Sequence, residues 1–239
     1  MNNELKYLIK LVKKASKLIT DDVQVSAKDD KGDLVTNFDY EIEKFITRRL
    51  KKDFPDFDIV SEEYNSDKKL SKNCFVLDPI DGTINFAHGL PLWGIQITCI
   101  KDGNMHATCI YLPKLGELYT ADDEKSYFNG KEMHVSNDSP NKCIYVYEAP
   151  VRLPGPVDMF EVSPLYRDLG CSSINFAWTA RGLVGGTVFR KETLWDYIPG
   201  QHLVKNAGGY ILNKKYKHIG ANSKELLELL DKNTKTKSK

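Results

Sequence analysis

The hydrophobic residues of the chain recur with two different spacings, and this predicts a fold of mixed helices and strands. Over residues 4–19 apolar residues return every three or four positions with lysines between them, which predicts an amphipathic helix. The same spacing runs from Phe38 to Leu50. At its start Thr36 and Asp39 have the arrangement of a helix cap, so a second helix is predicted to begin there.

Short apolar runs between turn-forming residues predict the strands. Residues 74–77 form a four-residue apolar run typical of a buried strand, and residues 58–61 predict another just before it. The Asp-Gly pair at 102–103 and the Asn-Gly pair at 129–130 predict tight hairpin turns. Further strands are predicted at residues 95–99, 105–112, 117–121, 126–128, 131–135, 144–148, 185–189 and 210–212.

The second half of the chain is predicted to contain three longer helices. One ends near residue 181, one covers residues 195–207, and one covers residues 223–230. Because Pro199 has no N–H to donate, we expect it in the first turn of the second of these helices. That placement would put Asp196 at or beside the helix N-cap.

The predicted elements divide into two halves that form one compact catalytic unit. An α+β half spans residues 1–139, and an α/β half that contains Asp196 spans residues 140–239. A proline-rich connection at residues 150–156 follows the boundary, and a polar tail from residue 232 is predicted to be disordered.

Charge and cysteine content limit the partners of the protein. The 239 residues contain 34 Lys and Arg against 33 Asp and Glu, so no overall field favours nucleic acid or an anionic membrane. The five cysteines are an odd number without a Cys-x-x-Cys pair, which indicates reduced thiols in a cytoplasmic protein. No apolar run is long enough to span a bilayer. We therefore expect neither a nucleic-acid nor a membrane partner.

The segment Asp78-Pro79-Ile80-Asp81-Gly82-Thr83 carries the most specific chemistry. It follows the apolar run at residues 74–77, so two carboxylates three residues apart are expected on a turn at the end of a strand. Asp-Pro and Asp-Gly pairs are also ordinary turn residues. Two adjacent negative charges are costly unless a cation or a proton lies between them. A metal site is therefore the favoured interpretation.

Together these segments resemble the inositol monophosphatase family of magnesium-dependent, lithium-sensitive phosphatases, and this chain is a divergent, somewhat short member. The resemblance implies an α+β fold, an αβαβα layered sandwich of the inositol monophosphatase and fructose-1,6-bisphosphatase type. It also implies a homodimer that hydrolyses a small phosphorylated metabolite. The matching motifs are residues 32–36 through Asp39, Ser61-Glu62-Glu63, Asp78 through Thr83, and Trp195-Asp196 with Gly200.

The resemblance also implies which residues hold the metal. Glu62, Asp78 and the backbone carbonyl of Ile80 would hold one Mg²⁺ ion. Asp78, Asp81 and Asp196 would hold a second. Carboxylate and carbonyl oxygens are suitable ligands for Mg²⁺, which commonly bridges to a phosphate.

The catalytic and phosphate-binding residues are expected next to these ligands. By resemblance, Asp39 and Thr83, with Glu62, position and activate the attacking water for in-line hydrolysis without a phosphoenzyme. The backbone N–H groups of Gly82 and Thr83, beside Asp81, would bind the phosphate at the start of a short helix.

Residues 189–191 are predicted to take part in substrate selection. In inositol-specific relatives a glutamate lies seven residues before the Trp-Asp aspartate, whereas this chain has Phe189 there, followed by Arg190 and Lys191. The two cations are either solvated surface or ligands for a second anionic group. The second interpretation favours a phosphatase for 3′,5′-bisphosphate nucleotides, NADP or fructose 1,6-bisphosphate.

A functional alternative of another class is a regulatory or RNA-polymerase-associated protein that retains the fold. The complete set of carboxylates argues against a role without catalysis.

Overall fold

A computed structural model describes residues 1–28, 33–148 and 165–234 of the chain. Two of its helices begin at polar side-chain caps: the Asn2 side chain accepts from the Leu5 N–H at 2.8 Å, and the Ser223 hydroxyl accepts from the Leu226 N–H at 3.2 Å. The helices are α1 (Asn3–Ala15), α2 (Asn37–Asp53), α3 (Thr83–Ala87), α4 (Ser172–Ala180), α5 (Leu194–Asn206) and α6 (Lys224–Asn233), with a 3₁₀ turn at Ser16–Leu18.

The strands form two main sheets and a small ribbon. The ribbon pairs β1 (Val25–Ala27) with β2 (Leu34–Thr36). The seven-stranded sheet contains, in spatial order, β3 (Asp58–Ser61), β4 (Cys74–Asp81), β5 (Gly94–Lys101), β6 (Asn104–Leu112), β7 (Glu117–Ala121), β8 (Ser126–Phe128) and β9 (Lys131–Glu132). The five-stranded sheet is built from β10 (Tyr145–Glu148), β11 (Tyr166–Arg167), β12 (Gly186–Phe189), β13 (Tyr210–Lys214) and β14 (Lys217–Ala221), in the order β11-β10-β12-β14-β13.

Helices and sheets stack in five layers. α1 and α2 cover the outer face of the seven-stranded sheet, where their apolar stripes pack with β4, β5 and β6 in one buried cluster. α4 and α5 lie between the two sheets and contact both. α6 closes the outer face of the five-stranded sheet through Leu226 and Leu230. The αβαβα order implied by the resemblance is therefore confirmed.

The strand that carries Asp78 is longer than its apolar run predicts. β4 continues through Asp81, and its pairing with β5 shifts register between Asp78 and Asp81. Pro79 lies in this interval and has no N–H for the ladder, which accounts for the irregularity. The turn comes only at Gly82, whose φ of 82° lies in the left-handed region that glycine adopts without strain.

Two other predictions from the sequence are wrong in detail. β9 ends at Glu132 rather than near residue 135, because the Val135 N–H leaves the sheet and donates to the Ala207 carbonyl at 3.1 Å. Pro199 lies in the interior of α5 and not in its first turn. The N-cap is Thr193, so Asp196 is the third residue of the helix, with its N–H donating to the Thr193 carbonyl at 3.1 Å.

The contact between α4 and α5 depends on a glycine. A Cβ added at Gly200 of α5 would overlap the Cβ and Cγ of Phe176 in α4, and Phe176 is fully buried. Gly200 therefore lets the two central helices approach closely, although a helical glycine has a lower intrinsic propensity than alanine.

We expect Gly200→Ala to destabilise the protein, even though alanine favours helices. The added methyl must displace Phe176 in a packed core, which costs about 1–3 kcal/mol of the free energy of unfolding. Chemical denaturation measures the change. The control is Lys205→Ala at an exposed position of the same helix, expected within about 0.5 kcal/mol of wild type. A Gly200→Ala protein as stable as wild type would contradict this account of the contact.

Candidate metal and phosphate site

Three buried carboxylates from two distant parts of the chain meet at one place. One carboxylate oxygen from each of Asp78, Asp81 and Asp196 lies within 4.8 Å of the others. Asp78 and Asp81 lie in the last residues of β4, and Asp196 projects from the first turn of α5. The middle helix layer thus completes a cluster that the seven-stranded sheet begins.

The first turn of α4 holds the Asp81 carboxylate. Oδ1 accepts from the N–H and hydroxyl of Ser172 at 3.2 and 3.0 Å, and Oδ2 accepts from the Ser173 N–H at 2.5 Å and the Cys171 thiol at 2.9 Å. A helix N-terminus leaves its first N–H groups free and carries positive potential, so it stabilises a carboxylate. Asp81 is therefore fixed in position as well as buried.

Burial and the charges of neighbouring carboxylates raise the pKa values of Asp78 and Asp196. The pKa of Asp196 is raised to about 6 by burial and then by the Asp81 charge, while the Lys191 ammonium and the Thr193 hydroxyl oppose the shift. The pKa of Asp78 lies well above its usual range because of burial and the charges of Glu62 and Asp81. Glu62 and the three aspartates thus place four carboxylates near one another in a region where charge is poorly solvated.

Asp78 provides the clearest sign that the cluster suits a cation. Its side chain is 1% exposed, and Oδ1 has no hydrogen-bond partner within the described parts of the chain. A buried carboxylate oxygen without a donor is costly unless a cation satisfies it. The donor set, all carboxylate oxygens, fits a hard divalent cation.

Glu62 lies next to the cluster but is turned toward a lysine. The Lys28 ammonium contacts Glu62 at 2.9 Å and Glu63 at 2.7 Å. Burial and then the charge of Asp196 nevertheless raise the pKa of Glu62 to about 8, and Lys28 opposes this shift. The structure thus brings Glu62 close to Asp196, although Glu62 does not belong to the group of three within 4.8 Å.

Asp39 both caps a helix and reaches the site. Its Oδ2 accepts from the Thr36 N–H at 2.7 Å and from the Thr36 hydroxyl at 2.5 Å, which confirms the predicted cap of α2. Oδ1 lies 3.3 Å from the Thr83 hydroxyl, and that hydroxyl is also 2.9 Å from the Ile80 carbonyl. Burial raises the pKa of Asp39 to about 6.

Gly82 lies at the start of α3 in close contact with two segments. A Cβ at this position would lie 2.9 Å from the Leu92 carbonyl and 3.1 Å from the Cys171 Cβ. Glycine is therefore needed both for the backbone angle and for space. Gly82 and Thr83 directly follow Asp81, at the place where the sequence predicts the phosphate.

The three residues of the predicted substrate-selecting segment point in different directions. Phe189 is buried in the cluster formed by α4 and α5. The Arg190 side chain is 1% exposed and donates to the Tyr147 hydroxyl at 3.2 Å, and its Nε and Nη2 have no partner among the described residues. The charges of Asp196 and Glu148 act on the Lys191 ammonium and raise its pKa, against the lowering effect of burial.

Sequence reasoning missed several polar residues around the site. Glu43 lies on α2 and accepts from the backbone N–H groups of Glu63 and Tyr64, both at 2.9 Å, and so fixes the loop after Glu62. Glu148 ends β10 and accepts from Asn175 of α4 at 2.8 Å. Neither belongs to a recognisable motif. Each became visible only when distant elements packed together.

All five cysteines are buried free thiols. Among the described residues, no helix combines the length and the apolar character needed to cross a membrane.

Comparisons with known proteins agree with this geometry. The sequence model of the Inositol monophosphatase family matches residues 2–234. A fructose-1,6-bisphosphatase/inositol-1-monophosphatase of Thermotoga maritima is 32% identical over 235 residues, covering 94% of this chain and 90% of that protein. The Nus factor SuhB of Pasteurella multocida is 28% identical over 230 residues, covering 88% and 85% of the two chains.

A solved structure shares the whole fold. The Thermotoga maritima IMPase matches with a TM-score of 0.86 at 28% identity, covering 97% of this chain and 98% of that one. The family match extends over nearly the full length, and the buried carboxylates lie where the motifs predict them. The chain therefore belongs to the inositol monophosphatase family.

Proposed function

We propose that this protein is a Mg²⁺-dependent phosphoric monoester hydrolase that acts on a small phosphorylated metabolite. The observation that supports it most strongly is the buried group of Asp78, Asp81 and Asp196, in which Asp78 Oδ1 lacks a donor among the described residues. A purely structural role would give no reason to bring three carboxylates together at this cost in stability. Membership of a phosphatase family supports the same conclusion.

The carboxylates are the proposed cation ligands. Asp78, Asp81 and Asp196 would hold one Mg²⁺, and Glu62 with Asp78 and the Ile80 carbonyl a second. Bound cations at such a site supply charge neutralisation for the phosphoryl oxygens and a lowered pKa for bound water. Mg²⁺ fits an all-oxygen ligand set and commonly bridges to a phosphate.

Asp39 and Thr83 are the proposed route for a proton. Asp39 Oδ2 is occupied by both donors of Thr36, so Oδ1 is left for Thr83. The Thr83 hydroxyl can accept a proton from the attacking water and pass its own to Asp39 Oδ1. With its pKa raised to about 6, Asp39 is a better general base than an exposed carboxylate.

Two classes of phosphate ester are candidates for the substrate. Relatives named inositol-1-monophosphatase support a polyol monophosphate. The Thermotoga relative named for both activities, together with Lys191 near the site, supports a second candidate that bears another phosphate, such as fructose 1,6-bisphosphate. Phosphate release measured across inositol monophosphates, 3′,5′-bisphosphate nucleotides, NADP and fructose 1,6-bisphosphate distinguishes them.

A regulatory role is the candidate of another class. Its support is the relative named Nus factor SuhB. The complete ligand set favours hydrolysis, and the two roles are separable because a site variant without turnover would retain a binding function.

We further propose a homodimer, as the family resemblance implies, and a cytoplasmic location. Analytical ultracentrifugation measures the first. The five buried free thiols support the second.

Asp81→Asn should reduce turnover of the best substrate in that screen by at least about 100-fold, a typical effect of removing one preorganised electrostatic group. Phosphate release at saturating substrate measures it, with the melting temperature as the check on folding. Asp196→Asn should give a comparable loss. Asp67→Asn, at an exposed position, is the matched control. Wild-type turnover by folded Asp81→Asn would remove Asp81 from the site.

In the presence of a chelator, the melting temperature should fall as the pH rises from about 6.5 to about 8. The pKa values of Glu62 and Asp78 are raised in the folded protein, so the folded state binds protons more tightly than the unfolded chain. The stability that these bound protons contribute is lost as the pH rises and both groups ionise. Buried His202 has its pKa lowered to about 4 in the folded protein. It does not change the melting temperature further above pH 6.5, the pKa of an unfolded histidine, because it is then neutral in both states.

Mg²⁺ should therefore raise the melting temperature more at pH 8 than at pH 6.5, because it binds the ionised native carboxylates. Asp78→Asn is the matched variant: it should melt higher than wild type in chelator at pH 8 and respond less to Mg²⁺. Identical melting curves with chelator and Mg²⁺ would contradict the proposed site.

Lithium should inhibit hydrolysis at concentrations where sodium and potassium do not. The reason comes from the family resemblance, in which Li⁺ occupies carboxylates that Mg²⁺ has left. Initial rates at constant ionic strength measure the effect. Equal, weak inhibition by all three ions would show that the site has diverged from the family in this property.

A further inference from the structure

Glu148 ends a strand beside Phe189 and shares its side of the sheet. β10 and β12 are parallel, and their register pairs Glu148 with Phe189. Side chains at paired positions of neighbouring strands project from the same face. Phe189 packs in the cluster of α4 and α5, so Glu148 faces this central layer too. Its bond from Asn175 of α4, at 2.8 Å, agrees with that orientation.

A short series of contacts connects Glu148 with the carboxylate cluster. The Asn175 N–H donates to the Cys171 carbonyl at 3.1 Å, and the Cys171 thiol donates to Asp81 at 2.9 Å. Glu148 is thus held by the helix whose first turn binds Asp81. Burial and then the charge of Asp81 hold the pKa of Glu148 well above its usual range, with a further contribution from Asp196 and an opposing one from Lys191.

We propose that Glu148 is a specificity-determining residue whose carboxylate accepts hydrogen bonds from free hydroxyl groups of the alcohol part of the substrate. This inference rests on the proposed phosphatase function and identifies its substrate class: the phosphate ester of a polyol. The family resemblance leads us to expect a carboxylate at position 189. In this chain Glu148, which pairs with Phe189 from the neighbouring strand, would supply it instead.

The local charges favour hydroxyl groups over a second phosphate. Lys191 lies near both Asp196 and Glu148, so its ammonium is already offset by carboxylates. In its ionised form, which cations at the neighbouring carboxylates would favour, Glu148 accepts hydrogen bonds and repels another anion. Arg190, the other candidate cation, donates instead to Tyr147. Tyr147 and Glu148 are consecutive residues of β10, so their side chains project to opposite faces of the sheet.

Asn175 adds a second acceptor at the same place. Its amide nitrogen donates to Glu148, which fixes the orientation of the amide group. Its Oδ1 is buried and has no donor among the described residues. A hydroxyl-bearing ligand supplies such a donor, whereas a phosphate supplies only acceptors at neutral pH.

The test is Glu148→Gln, assayed on two esters. Glutamine keeps an oxygen for the Asn175 amide and removes only the charge, so the variant should fold with an unchanged or higher melting temperature. For inositol 1-phosphate we expect KM to rise about tenfold or more, the typical effect of losing a hydrogen bond to a charged group, with a smaller change in kcat. For p-nitrophenyl phosphate, which has no hydroxyl group, kcat/KM should change less than about twofold.

The matched control is Glu192→Gln, an exposed glutamate four residues before Asp196 that faces His218. It should leave both substrates unaffected. Fructose 1,6-bisphosphate carries free hydroxyl groups as well as a second phosphate, so its KM should also rise in the Glu148→Gln variant, but less than that of inositol 1-phosphate, because the variant no longer repels the second phosphate. The Mg²⁺ concentration for half-maximal activity should not change.

Three results would overturn the inference alone: equal changes for both esters, a shift in Mg²⁺ dependence without a change in substrate discrimination, or a loss confined to fructose 1,6-bisphosphate. If the wild type hydrolyses none of these esters with Mg²⁺ present, the proposed function fails and the inference fails with it.

Discussion

Repulsion among buried carboxylates is the constraint on which the site depends. Asp78, Asp81 and Asp196 are each at most 8% exposed, and their oxygens lie within 4.8 Å of one another. In a medium that solvates charge poorly, this arrangement costs stability unless protons or cations compensate it. Hydrogen bonds from α4 hold Asp81 and the Thr193 hydroxyl donates to Asp196, whereas Asp78 Oδ1 has no donor among the described residues.

The central helix layer does most of this positioning. The first turn of α4 provides two N–H groups, a hydroxyl and a thiol to Asp81, and the first turn of α5 carries Asp196. Close approach of the two helices requires a glycine at position 200 against Phe176. Packing and the site are therefore linked, because the helix contact that builds the core also places Asp81 and Asp196 relative to each other.

Residues outside the cluster position neighbouring groups and offset their charges. Glu43 fixes the loop after Glu62 through backbone N–H groups, and Lys28 offsets the charge of Glu62 and Glu63. Asp39 combines the cap of α2 with a contact to Thr83, so the start of a helix fixes a group that can take a proton. Glu148 and Lys191 give the neighbouring region both signs of charge, which suits a ligand with directional hydrogen bonds.

The sequence by itself determined the family, the layered α+β fold and the carboxylates to consider, because these depend on local patterns: hydrophobic spacing, a helix cap at Thr36 and Asp39, and motifs in a fixed order. Prediction from the sequence was wrong for the position of Pro199 within α5 and for the length of β4, because neighbouring strands and helices override local preference there. Only the tertiary structure decided that Arg190 and Lys191 diverge and that Glu148 lies level with Phe189. The pairing of strands 41 residues apart, and the face that each side chain takes, depend on packing between distant segments, which no local pattern encodes.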